Sequence, residues 1–216
     1  MNPGSRLLRA VSESRINYWL AYACDLACPI VLLHLGLSCS AGHPIDWLAL
    51  PTMILCGAFV FSFVEYSMHR WLFHAPVSFA TAIHHKHHVY PRDATAMPFP
   101  CSAGAAFLLW SYLPFIMSEQ STCFFATGFL TAYFYYTVIH HLQHTIRITD
   151  LRVRCYRGRW KAHAVHHAKT DKNYGVTTAF WDRVFGTYSV IASKTCPARP
   201  SLPTPHSKQD APPIPQ

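Results

Sequence analysis

Charge is what this 216-residue sequence has least of: Asp, Glu, Lys and Arg together make up only 13% of it. A soluble domain usually carries about 25%, so the chain cannot coat a water-facing globule in polar groups. Its 51% hydrophobic content excludes an intrinsically disordered protein. Acidic residues are scarcest, 10 against 18 Lys and Arg, for a net charge of +8. No C-x-x-C pair occurs among the eight cysteines (Cys24, Cys28, Cys39, Cys56, Cys101, Cys123, Cys155 and Cys196), and several lie in apolar runs. A disulfide framework or zinc ribbon is therefore not expected, and the cysteines read as small buried hydrophobes. The first 15 residues lack the apolar run and small-residue cleavage site of a secretory leader. A glycine-rich dinucleotide fingerprint is missing too, as is the His-Pro-Gly-Gly signature of a fused cytochrome b5 domain.

What is present is long apolar sequence. Four stretches stand out: Tyr18–Leu37, Trp47–Ser67, Ser102–Met117 and Cys123–Ile139. Spanning a hydrocarbon core of about 30 Å takes about 20 residues. The second stretch meets that with a single charge, Glu65. The last two are short and separated only by 118–122, which predicts a helical hairpin. With the N-terminus in the cytosol, segments 1–15, 68–101 and 140–216 share one side and hold 3, 3 and 12 basic residues, all 18 of them. The outer loops, 38–46 and 118–122, hold none. That asymmetry satisfies the positive-inside rule. It accounts for the net charge through lipid headgroups and needs no nucleic acid. Organisation follows: a cytosolic segment 1–15, a membrane domain 16–188, and a tail 189–216 whose seven prolines after residue 196 predict no fold.

Histidine is the other excess, with 15 residues. Ten of them fall in four boxes: His69 and His74; His84, His87 and His88; His140 and His144; His163, His166 and His167. Positions three and four apart share a helix face. Each H-x2-H-H triplet is therefore expected to point at one place, and His140 with His144 likewise. His69 and His74 lie about 140° apart on an α-helix, which predicts either ligation of two different sites or a helix that frays between them. All four boxes fall at one membrane face. Ten neutral imidazoles exceed what one tetrahedral ion takes and suit two ions. The donor set admits zinc, copper, iron or nickel. His34, His43 and His206 read as ordinary histidines, and His85 and His141 as neighbours of the boxes.

With these boxes and the closing segments Asn173-Tyr174-Gly175 and Trp181-Asp182-Arg183-Val184-Phe185-Gly186-Thr187, residues 47–188 resemble the fatty acid hydroxylase/sterol desaturase superfamily. The resemblance implies an all-α integral membrane fold: four transmembrane helices, the last two a short hairpin, under a cytosolic helical cap holding a dimetal site. It implies two iron ions ligated by His69, His74, His84, His87, His88, His140, His144, His163, His166 and His167; because imidazole accepts either ion, zinc is expected to substitute in purified protein. No catalytic residue beyond these ligands is expected. The segment Trp181–Tyr188 is expected to pack the cap against the fourth box.

Oxidising an unactivated C–H bond calls for O₂ activated at a metal or flavin. The expected activity is O₂-dependent hydroxylation of a fatty acyl chain, with sterol desaturation and carotenoid ring hydroxylation as alternatives. The compact chain and the short gap between the first two boxes favour the acyl substrate. A metal transporter would place its ligands near mid-membrane, whereas these sit at one end. Electrons are expected from a separate carrier, such as cytochrome b5 or ferredoxin, docking on Arg147, Arg152, Arg154, Arg157, Arg159 and Lys161, unless those residues only meet lipid phosphates. The expected location is the endoplasmic reticulum in a eukaryote or the inner membrane in a bacterium, with both termini cytosolic.

Overall fold

A computed structural model describes residues 3–38, 45–74, 79–93, 96–147 and 154–190, and every regular element among them is helical. The order is α1 (Pro3–Ser12), α2 (Arg15–Ser38), α3 (Ala49–Ser67) continuing into a π-helix (Met68–Phe73), α4 (Phe79–Val89), α5 (Pro100–Tyr112) with a 3-10 turn (Leu113–Phe115), α6 (Glu119–Thr145), α7 (Arg154–Ala168) and α8 (Phe180–Val184). The tail from residue 191, His43, His206, Arg152, most of the 38–46 loop, Cys39 and Cys196 lie outside the described residues.

Three helices are long and apolar enough to cross a bilayer: Arg15–Ser38, Ala49–Phe73 and Glu119–Thr145. The first two carry Leu26, Ile30, Leu55 and Phe59 on their outer faces, all exposed, a surface suited to lipid more than to water. The third expected stretch is shorter. Its apolar helix runs Ala103–Phe115, about 20 Å at 1.5 Å per residue. α6 starts earlier than its apolar run predicts, because the Ser118 hydroxyl accepts from Ser121 N at 3.1 Å and caps the helix before Glu119.

α6 is the central post, packed by α2, α3 and α5. α2 runs antiparallel to it: Tyr18 meets His141, Tyr22 meets Thr137, and Gly36 meets Phe124. α3 runs with it, Gly57 against Phe125 and Phe61 against Phe129 and Tyr133. The two backbones nearly touch. A Cβ on Gly57 would stand 2.0 Å from Phe125 O, and one on Gly128 2.0 Å from Ile54 O. Small residues allow this approach where apolar burial gives helices little reason to associate. The consequence is positional: α3 and α6 end side by side, and each ends in a histidine box.

Of the cysteines whose surroundings are described, all five are free thiols. Only Cys123 is fully buried. Cys56 and Cys101 instead lie on the outside of apolar helices, where a bilayer accepts a thiol as readily as a core does.

Candidate metal centre

His69 and His74 reach the same place. From Met68 to Phe73 the chain is a π-helix, whose i→i+5 bonding widens the turn and brings residues five apart onto one face. Their rings stack at 5.5 Å and 18°. On an α-helix the two rings would diverge; the wider turn brings them together.

The H-x2-H-H triplets divide. On α4, His84 and His88 are 40° apart, whereas His87 lies 100° from His88. His84 and His88 join His69, His74 and His166 in one nest; His87 joins His140, His144, His163 and His167 in a second. α7 mirrors this, with His163 and His167 in the second nest and His166 crossing to the first. Each triplet thus gives an i, i+4 pair to one nest and one ring to the other. The expected convergence of whole triplets does not occur, while the pairing of His140 with His144 does. The nests adjoin: His88 stacks on His167 at 4.3 Å. His34 and His85 are exposed and His141 pairs with Tyr18, so none of these three joins a nest.

Within each nest the five ligand nitrogens lie within 4.8 Å of one another. Adjacent ligands on an ion with bonds of about 2.1 Å stand about 3.0–3.4 Å apart, and opposite ones about 4.2 Å. In the first nest the Nε2 atoms of His69, His74 and His88 lie 3.1, 3.2 and 2.9 Å from that of His84, and His74 lies 3.3 Å from His166. One imidazole has one proton at most to give through Nε2, so His84 cannot satisfy three neighbours. In the second nest His144 and His163 approach at 2.9 Å, while Nε2 of His87, His140 and His167 is buried without a partner. Crowded lone pairs and orphaned acceptors are what a cation resolves. The residues present fit a metal ion in each nest.

Protonation is set for ligation. Burial first, then neighbouring imidazoles, pushes His84 and His163 well below the usual histidine range. The same causes bring His87 to about 3, His88 to about 4 and His167 to about 2. Burial holds His166 at about 3 despite its carbonyl bond. These rings are neutral at pH 7. His69 Nδ1 donates to Tyr174 O at 2.5 Å and His166 Nδ1 to Lys172 O at 2.8 Å. Each carbonyl fixes the proton on Nδ1 and frees Nε2 for a metal.

The carbonyls come from a tightly held loop. Asn173 adopts φ 52°, donates to Ala162 O and Ser189 O and accepts from Ser189 N. Asp182 accepts from Tyr174 N and Gly175 N, each at 2.8 Å, and from the Thr187 hydroxyl at 2.7 Å. A Cβ on Gly175 would lie 2.0 Å from Thr178 O, so only glycine fits. From below, Glu65 accepts from Val176 N at 2.6 Å, Thr177 N at 3.0 Å and the Thr177 hydroxyl. Trp181 Nε1 donates to Ser62 Oγ at 2.9 Å, tying α8 to α3. Sequence reasoning missed Glu65; the available signal was a lone acid in the cleanest apolar stretch.

Among the described residues, then, fold and site define a helical protein with membrane-length apolar helices and two adjoining histidine nests suited to metal. Residues 54–187 match the family model described as fatty acid hydroxylase, and the chain belongs to that family. It is 30% identical over 168 residues to a dihydroceramide fatty acyl 2-hydroxylase of Arabidopsis thaliana, covering 74% of this chain and 69% of that one. It is 31% identical over 156 residues to the ceramide very long chain fatty acid hydroxylase of Schizosaccharomyces pombe, covering 63% and 42%. A solved structure described as full-length scs7p, with only its hydroxylase domain visible, superposes with a TM-score of 0.65 at 26% identity, over 83% of this chain and 69% of that one.

Proposed function

We propose that this protein is a membrane oxidoreductase that hydroxylates the acyl chain of a lipid, at carbon 2, using O₂ and two histidine-bound iron ions. The observation that carries this reading is the sorting of ten imidazoles into two adjoining nests of five. Membership of the fatty acid hydroxylase family and the names of the relatives support the reaction class and position. The ligands are His69, His74, His84, His88 and His166 for one ion and His87, His140, His144, His163 and His167 for the other. Zinc can replace iron in purified protein, since imidazole accepts both.

When bound, the iron pair supplies the redox chemistry that activates O₂ toward a C–H bond. The chain does the rest. Tyr174 and Lys172 carbonyls hold the Nδ1 protons of His69 and His166. Tyr136, packed parallel to His140 at 5.6 Å, sets the angle of that ring. The apolar walls of α3, α5 and α6 exclude water and position the chain to be oxidised.

In this reading α5 and α6 form the hairpin that completes a four-helix stem, while α4, α7 and α8 form a cytosolic cap over the nests. Both termini are cytosolic, in the endoplasmic reticulum of a eukaryote or the inner membrane of a bacterium. Residues 1–15, 16–188 and 189–216 are the N-terminal segment, the hydroxylase domain and the tail. Electrons come from an external carrier such as cytochrome b5 or a ferredoxin. Its docking face is built on Arg147, Arg157 and Lys161, all exposed. Arg159 contributes less, because it is half-buried with Nη1 unpaired.

Expression with iron, O₂ and a reductant in a host lacking lipid hydroxylases tests the proposal. Mass spectrometry should find one added oxygen per acyl chain at carbon 2, lost in His87→Ala and His166→Ala. Unchanged oxidation in those variants overturns it.

A further inference from the structure

α1 is packed the wrong way round for a helix on a water-soluble domain. At 100° per residue, Arg9 and Ser12, with Glu13 just past the helix end, share one stripe, and this polar stripe faces the protein. Glu13 accepts from Arg9 Nε at 2.9 Å and from the Lys86 ammonium of α4 at 3.0 Å. Ser12 is buried, and its carbonyl accepts from Ala96 N at 3.1 Å. Leu7 and Val11 lie about 160–200° around the helix from Arg9, with Leu8 beside them, so the apolar stripe points away from α4. Leu7 is 67% exposed, Leu8 is exposed too, and Val11 is half-buried. A surface helix of a soluble domain turns its apolar stripe to the core; α1 turns its polar one there. Its position in the chain says what covers the other. Only Glu13 and Ser14 separate α1 from α2, a helix long and apolar enough to cross a bilayer. The first turn and a half of α2 continues the apolar surface, with Ile16 74% and Trp19 68% exposed. α1 itself contains no acidic residue, and Arg6 and Arg15 are exposed on either side of its apolar stripe along the chain.

We infer that α1 lies in the plane of the bilayer interface, with Leu7, Leu8 and Val11 against the lipid, and that it straps α4 to the membrane surface. An amphipathic helix binds there through the apolar area it buries and the attraction of its bases to headgroup phosphates. Lipid already faces Ile16 and Trp19 at the start of a spanning α2, and the stripe on α1 extends that surface. The strap has two links. Glu13 holds Lys86, which stands between His84 and His87 on α4. The corner between α1 and α2 also pins the segment that follows α4: Ser12 O holds Ala96 N, while Asn17 accepts from Phe99 N at 2.8 Å and donates to Met97 O at 3.1 Å. A bilayer that seats α1 therefore holds α4, with its three nest histidines, at a set height above the lipid. The inference goes beyond the reaction proposed above and needs only that α2 spans the bilayer.

The test is hydrogen–deuterium exchange of the full-length, metal-loaded protein in phosphatidylcholine nanodiscs, one chain per disc. Leu7→Glu should speed exchange of the α1 amides about tenfold or more, the worth of one leucine side chain taken out of lipid. Leu7→Met keeps the stripe apolar and should stay within about twofold of the wild type. Leu8→Gln strikes the same stripe and keeps the test open should Leu7→Glu fail to fold. In either polar variant the segment carrying the Ala96 and Phe99 amides should also exchange faster, because its acceptors on Ser12 and Asn17 lose their seat. A phosphatidylcholine with a photoreactive diazirine in its acyl chain should label the wild-type peptide that contains Leu7 and Val11. Exchange of α1 in the polar variants within about twofold of the wild type, as for an ordinary water-facing position, overturns the inference. So does a wild-type α1 that takes no lipid label. Faster exchange in α1 with none at Ala96 and Phe99 overturns the strap. No readout here depends on turnover, so a protein that makes no hydroxylated lipid sinks the hydroxylase reading and leaves this inference standing.

Discussion

The two nests are built from the same side chain in the same number but oriented by different means. The first adds irregular structure to its one i, i+4 pair, His84–His88 on α4: a π-helix places His69 and His74 together, and loop carbonyls of Lys172 and Tyr174 set two of its rings. The second rests on regular structure, with His140–His144 and His163–His167 as i, i+4 pairs on α6 and α7. His163 Nδ1 has no partner there, and in the first nest His88 Nδ1 has none either, so the two carbonyl bonds are what separates the nests. A helix turn orients a ring coarsely; a carbonyl at hydrogen-bond distance fixes both its angle and its tautomer. The first nest is therefore the more preorganised, and the second has more freedom to adjust around an ion.

The largest effect on this comparison comes from removing one ring from either nest. In His84→Ala the first nest loses the imidazole that three others crowd against. In His163→Ala the second loses the partner of His144. Each variant should lose one of two metal ions per chain, by elemental analysis, and hydroxylation should fall to background. Loss of both ions from either variant would show that the nests fill as one unit and not as two.

A smaller effect should separate the nests. Asp182→Ala touches no histidine, yet it strips the acceptor from Tyr174 N, Gly175 N and the Thr187 hydroxyl. Each buried donor left unpaired costs about 1–3 kcal/mol, and the Tyr174 carbonyl loses its fixed position against His69. Metal affinity should fall about 10–100-fold, as for other lost supports behind a ligand, and in the first nest only. Stepwise metal titration checks this; equal weakening of both nests would dissolve the distinction drawn between them.

The sequence made the ten histidines legible because their clustering survives any helix geometry. It did not reveal the partition, because three rings within one turn look like a single face although 100° per residue already separates His87 from His88. Nor did it reveal the π-helix: Met68–Phe73 carries no proline or glycine to announce a change of turn. The three long spans were readable from apolar length alone. The short α5 blurred the fourth, since an apolar run says where water is excluded and not how far the helix extends. Glu65 and Asp182 stayed hidden as supports because their partners are backbone N–H groups more than 100 and about seven residues away, respectively.

A last effect concerns both nests together and depends on pH. In the metal-free protein His87, His88, His166 and His167 titrate near 3, 4, 3 and 2, against 6.5 in an unfolded chain. Between those values the unfolded chain binds more protons than the folded one, so stability rises with pH. It is complete above about 6.5 and is lost progressively as pH falls toward the folded values. Thermal denaturation of the metal-free protein in detergent should therefore give a Tm that is flat above neutrality and declines below about pH 6.5. Both triplets contribute to this slope, since α4 and α7 each bury rings in both nests. Replacing His88 by Gln, which keeps bulk but cannot take up a proton in this range, should flatten the slope by roughly one group's share. A slope unchanged by that substitution would mean that His88 is charged, or free to charge, in the folded protein, and that its ring is not held neutral beside His84 and His167.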